Sequence, residues 1–181
     1  MKEKILPSLV LMIICAVCCG LLVFAHDLTY VDNTGKITDC MNKALAEIYG
    51  TADGFEMLKA DDGSVVSYDG VTSVLRSSDG RVAFEITSDG YSKGGLYMLV
   101  GMNTQGEVEG IYIMSIGETP GLGTKVQDSS FIDGFKGLSS ADTVDEVDNI
   151  TGASRSSRGM KNAVKTAINT YNDQREAILG E

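Results

Sequence analysis

Gly95-Leu96-Tyr97-Met98-Leu99-Val100-Gly101-Met102 and Glu107-Val108-Glu109-Gly110-Ile111-Tyr112-Ile113-Met114, joined by Asn103-Thr104-Gln105-Gly106, decide the fold. Each run is eight residues of mostly apolar, β-branched or aromatic character, and the four between them are turn formers, so the stretch predicts an antiparallel hairpin. Upstream, Val71–Arg76 and Arg81–Thr87 flank Asp79-Gly80 and predict a second hairpin. Together they imply an antiparallel sheet of about five or six strands. Downstream, Met160, Ala163, Val164, Ala167, Ile168 and Tyr171 recur at helical spacing and predict a long amphipathic helix with one buried face. Before the sheet, apolar residues at 37, 40, 41, 44, 45 and 48 predict a shorter helix closed by Gly50, with Cys40 as a thiol at a buried helix position. Helices on either side of a mainly antiparallel central sheet make an α+β domain.

Residues 5–25 carry no charged side chain, and 21 residues at 1.5 Å each span roughly 31 Å, the thickness of a bilayer's hydrocarbon layer. Pro7 is expected in the first turn of this helix, where its missing N–H matters least. Lys2 and Lys4 precede the run while His26 and Asp27 follow it, so the positive-inside rule expects residues 1–4 in the cytoplasm, 5–25 in the membrane and 26–181 outside. The competing reading is a cleaved signal peptide ending at Val23-Phe24-Ala25, although the apolar run exceeds the usual ~7–15 residues of such a segment. Cys18 and Cys19 lack a leucine three residues before them, which argues against a lipoprotein signal.

The 181 residues allow one domain and an appendage. The formal charge is −10, and without Lys2, Lys4 and Glu3 the residues from 26 onward hold 13 basic against 24 acidic side chains, or −11. Such a surface repels nucleic acid. One histidine and four cysteines, three of them in the apolar run, make a metal centre or a disulfide framework hard to build.

Two segments are dense in small residues beside charges. Gly117-Glu118-Thr119-Pro120-Gly121-Leu122-Gly123-Thr124-Lys125 lets backbone approach a flat ligand, with Glu118 and Thr119 able to hydrogen-bond it; the alternative is a solvent loop that turns the chain. Val126 stands where a dinucleotide fingerprint needs its third glycine. Asp148-Asn149-Ile150-Thr151-Gly152-Ala153-Ser154-Arg155-Ser156-Ser157-Arg158 precedes the final helix, where free backbone N–H groups favour a phosphate and the two arginines add positive charge. Its alternative reading is N-capping by Ser154, Ser156 or Ser157.

The run Asp148 to Ser154, DNITGAS, resembles the flavinylation motif D-x-x-[S/T]-G-A-[T/S] of the FMN-binding domain family. In that family an ApbE-type flavin transferase esterifies the last residue to the phosphate of FMN. Gly90-Tyr91, Gly94-Gly95, a strand, Glu118 to Gly123 and then this motif follow in the order seen in RnfG subunits of the Rnf electron-transport complex, and the NqrC subunit of the sodium-pumping NADH:quinone oxidoreductase shares the plan. The resemblance implies Ser154 as the covalent attachment residue, Thr151, Gly152 and Ala153 as the recognised turn, and Asp148 as its start. It implies Glu118, Thr119, Leu122 and Gly123 as contacts of the isoalloxazine ring. Serine replaces the commoner threonine at the acceptor, which keeps the hydroxyl.

What the resemblance implies is an electron-relay subunit of an ion-translocating ferredoxin:NAD oxidoreductase in the cell membrane, with the other Rnf subunits as partners, and not a complete enzyme alone. The alternatives are an NqrC-like or other extracytoplasmic flavin subunit, and a membrane-tethered binding or scaffold domain without flavin.

Overall fold

The computed structural model describes residues 2–29 and 35–180. The chain separates into two units, Met1–Asn33 and Thr34–Glu181. The first is helix α1, Lys2–Thr29, whose stretch Leu9–Thr29 has mean hydropathy 2.7 and is long and apolar enough to cross a membrane. The helix begins before the apolar run because Lys2, Glu3 and Lys4 are good helix formers. Pro7 therefore lies inside the helix rather than in its first turn.

The second unit is α+β. Five strands, β1 (Phe55–Met57), β2 (Val71–Ser77), β3 (Val82–Ser88), β4 (Leu96–Met102) and β5 (Val108–Ile116), form one antiparallel meander in chain order. Both predicted hairpins form: Ser77 N–H donates to Arg81 O at 2.8 Å across Asp79-Gly80, and Asn103 N–H donates to Glu107 O at 2.8 Å across the second turn. Strand β1 has only three residues, too few for a readable period.

Register separates the strand residues between two faces. Val74, Phe84, Val100 and Ile111 are aligned across β2–β5 and lie in the larger core with Met160, Val164, Ala167 and Ile168 of α4, Ser154–Leu179. Leu75, Ala83 and Leu99 line the other face with Ala44 and Leu45 of α2, Asp39–Tyr49. Gly101 and Gly110 oppose each other there, and a Cβ at 101 would lie 2.6 Å from both Ile48 Cγ2 and the Tyr49 hydroxyl oxygen. That shallow seat lets Tyr49 OH donate to Val82 O at 2.8 Å. Helix α2 is capped by Thr38, whose hydroxyl accepts from Met41 N–H, and closed by Gly50 as expected.

Cys40, expected to be buried, is exposed. The buried set of α2 is Met41, Ala44 and Leu45, and at 100° per residue Cys40 falls on the margin of that stripe. Glu85 is buried on the α2 face, where its carboxylate accepts from the Ser73 and Tyr97 hydroxyls. Between β5 and α4 the chain runs through short 3-10 turns and α3, Ser129–Ile132, which add Val126, Phe131, Phe135 and Val144 to the larger core.

Candidate functional site

Three loops meet at one end of the sheet. The first, between β3 and β4, is tied by Gly94 N–H donating to Asp89 Oδ1 at 2.6 Å and by Ser92 Oγ donating to Gly117 O at 2.8 Å. The second follows β5. Thr119-Pro120-Gly121-Leu122 closes with Leu122 N–H on Thr119 O at 3.2 Å, and Gly121 has φ 75°. Proline second and a positive-φ glycine third are the requirements of a type II turn. The third, Ile150-Thr151-Gly152-Ala153, repeats this geometry: Ala153 N–H donates to Ile150 O at 3.0 Å and Gly152 has φ 82°. It delivers the chain into α4, whose first intrahelical bond runs from Ser157 N–H to Ala153 O at 2.9 Å.

Glu118 holds the three loops together. Its carboxylate accepts from Tyr91 N–H and Ser92 N–H at 3.0 Å each, and from the Ser156 hydroxyl of α4. The side chain is 5 % exposed. Burial alone pushes this carboxyl's pKa up, but the donations from Ser156, Tyr91 and Ser92 outweigh it and hold it below the ordinary value. Glu118 is therefore engaged by three donors of this chain while it also lies on the cavity lining.

Between the loops lies a cavity of about 480 Å³, lined by Tyr91, Glu118, Thr119, Leu122, Gly123, Gly152, Ala153, Ser154, Arg155 and Ser156. That volume lies in the range of small-ligand sites, ~300–1,000 Å³. Outside α1, the large apolar side chains exposed among the described residues are Tyr91 and Leu122, both on this lining. Tyr91 carries the Arg155 guanidinium 5.7 Å from its ring centroid.

Of the residues named from sequence, Glu118, Thr119, Leu122, Gly123, Gly152, Ala153 and Ser154 come together around the cavity. Thr151 and Asp148 are not on its lining; Asp148 is exposed and borders a separate groove with Phe131, Gly134 and Val147. N-capping by the serines is absent: Ala153 occupies the cap position with no side-chain bond. Ser157 Oγ instead accepts from Ile150 N–H at 3.0 Å, and Ser156 reaches Glu118. Ser154 is exposed, with no side-chain hydrogen bond among the described residues. From sequence alone, Arg155 is only positive charge near a phosphate and Tyr91 only part of the family pattern, and neither is named as a contact of the ring. A tyrosine after glycine and an arginine at a helix start carry no periodic signal, and only the fold places one over the other.

Comparison with known proteins picks out the same part of the chain. Residues 90–169 match the FMN-binding domain. The G subunit of an ion-translocating oxidoreductase complex from Shewanella piezotolerans is 34 % identical over 118 residues, which is 58 % of this chain and 55 % of that protein. The corresponding G subunit of Aliivibrio fischeri is 32 % identical over 120 residues, 60 % of this chain and 57 % of that one. That of Pseudomonas aeruginosa is 33 % identical over 103 residues, 50 % of this chain and 48 % of that one. The chain thus spans about half the length of the relatives it matches. The part of the chain similar to the FMN-binding domain is thus the part that carries Tyr91, Glu118, Ser154 and Arg155.

Proposed function

We propose that this chain is an electron-carrier subunit, similar to the G subunits of ion-translocating oxidoreductase complexes, that holds FMN by a phosphoester bond to Ser154. The observation that carries this reading is the exposed, unbonded Ser154 hydroxyl at the rim of a cavity of about 480 Å³ bounded by two exposed apolar side chains. The residues present fit FMN. Tyr91 and Leu122 offer apolar surface to a flat ring, Thr119 offers a hydroxyl, and Gly152 leaves the approach to Ser154 open, with only Leu122 Cδ2 within 4 Å of where its Cβ would be.

The attachment step forms one bond and breaks another. The Ser154 oxygen joins the phosphorus of an activated flavin phosphate, the donor's leaving group departs, and the hydroxyl proton passes to the transferase. The exposure of Ser154 supports attachment by a separate ApbE-type enzyme. Once bound, FMN supplies the redox chemistry. The loops orient the ring, Leu122 and Tyr91 exclude water from it, and Glu118 keeps the loops in place.

In this reading residues 1–4 lie in the cytoplasm, 5–25 cross the cell membrane, and 26–181 form the extracytoplasmic flavin domain, as the placement of Lys2 and Lys4 before the apolar helix supports. The other subunits of a membrane complex of the Rnf or related Nqr type are the donors and acceptors.

The test is co-production of the full chain with an ApbE-type transferase, followed by denaturing electrophoresis and intact-mass measurement. The wild type is expected to carry a fluorescent band and one FMN-sized increment on the peptide holding Ser154, and Ser154→Ala to lose both. Fluorescence surviving in Ser154→Ala refutes the attachment residue, and a colourless wild type refutes the flavin.

A further inference from the structure

We propose that Arg155, held over Tyr91 at the edge of the cavity, raises the reduction potential of the flavin bound there. This rests on the FMN reading above. The only charged residues on the cavity lining among those described are Glu118 and Arg155. The carboxylate of Glu118 is buried and surrounded by three donors of its own chain. Arg155 differs: it is exposed, forms no salt bridge among the described residues, and its guanidinium is positioned by the Tyr91 ring at 5.7 Å. Tyr91 is in turn fixed at its backbone, whose N–H donates to Glu118. Arg155 also borders a neighbouring groove with Asp89, Arg158 and Asn162, but Arg158, one helical turn on, is not on the cavity lining.

Attachment at Ser154 would fix the phosphate next to Arg155 in the chain, and a ring bound in the cavity would have Arg155 on its lining. Two-electron reduction of a flavin with uptake of one proton leaves the ring one unit more negative than before. A fixed positive charge favours that product and leaves the neutral oxidised ring little affected, so it raises the potential. The domain as a whole opposes reduction, since residues from 26 onward carry 13 basic side chains, Arg155 among them, against 24 acidic. A single cation at the edge of the cavity, with no salt bridge among the described residues, is a local answer to that background, and one partly screened by salt.

The test uses the full chain, flavinylated by co-produced transferase and purified in detergent, titrated with dithionite and redox mediators while flavin absorbance is followed. Arg155→Gln is expected to weaken two-electron reduction by about tenfold, a shift of about 30 mV to lower potential at 29.6 mV per tenfold. Arg155→Lys keeps the charge and most of the potential, and high salt narrows the gap between wild type and Arg155→Gln. Tyr91→Leu, which removes the platform but leaves the charge, gives an intermediate shift and serves as the measurement if Arg155→Gln loads no flavin. Wild-type potentials in Arg155→Gln, or in Tyr91→Leu where that variant is used, overturn the inference while the flavin reading stands. A wild type without flavin overturns both.

Discussion

Replacing Glu118 by glutamine tests whether one carboxylate holds the site together. Glutamine matches the size of glutamate but exchanges one acceptor oxygen for an NH₂ group. With the amide in one orientation the NH₂ opposes Tyr91 N–H, and in the other it opposes Ser92 N–H, both of which donate at 3.0 Å in the native domain. The Ser156 hydroxyl can reverse its proton, but a backbone N–H cannot. One buried donor is left unpaired, at about 1–3 kcal/mol, while the surviving hydrogen bonds lose their charge assistance. A total near 2 kcal/mol corresponds to a fall of roughly 4–8 °C in Tm for a chain of this size.

The pH dependence gives an independent check. Because the folded-state pKa of Glu118 lies below its ordinary 4.5, its stabilisation is fully present above that value and is lost as pH falls through the depressed one. Protonated glutamate presents a misplaced donor much as glutamine does, so the difference between wild type and Glu118→Gln should shrink below about pH 4.5. The assay is thermal unfolding of both full-length proteins in detergent, followed by circular dichroism from neutral pH downward. A variant within about 1 °C of wild type at neutral pH, or a gap that stays constant into acid, refutes the role given to this carboxylate.

Gly159→Ala would place a Cβ 2.5 Å from the carbonyl oxygen of Asp89 and 2.9 Å from Leu96 Cδ1. Backbone cannot yield cheaply there, so α4 should shift from the β3–β4 loop at a cost of about 1–3 kcal/mol, with less flavin loaded per chain by absorbance ratio; full loading and unchanged Tm would contradict this. The Tyr171 hydroxyl is buried without a hydrogen-bond partner among the described residues. Tyr171→Phe should therefore leave chemical-denaturation stability unchanged or raise it by up to about 1 kcal/mol, and a clear loss would reveal a partner for that oxygen.

The hairpins and α4 were legible because their information is local: Asp79-Gly80 and Asn103-Thr104-Gln105-Gly106 mark turns between apolar runs, and Met160 to Tyr171 keep one helical period. Strand β1 was not, since Phe55–Met57 is held by pairing with Leu75–Ser77 rather than by a period of its own. Cys40 misled because an apolar-like residue at the margin of a helical stripe reads as part of it. Within the site, Ser154, Gly152 and Leu122 stood out through motif and turn chemistry. The bridging role of Glu118 did not: a charged residue in a glycine-rich loop reads as a ligand contact or a solvated side chain, and its donors lie 26, 27 and 38 positions away. For the same reason Tyr91 and Arg155 become partners only once the loops have closed.

The order in which the cavity's walls are synthesised has a consequence for maturation. The meander joins neighbours in sequence, so each strand can pair soon after it emerges, whereas the wall bearing Ser154 belongs to α4, the last element described. Until that helix docks, Glu118 lacks its Ser156 donor and the cavity has no third side. A transferase that requires the assembled pocket would thus act as a proofreader of biogenesis, marking only those chains whose domain is already complete.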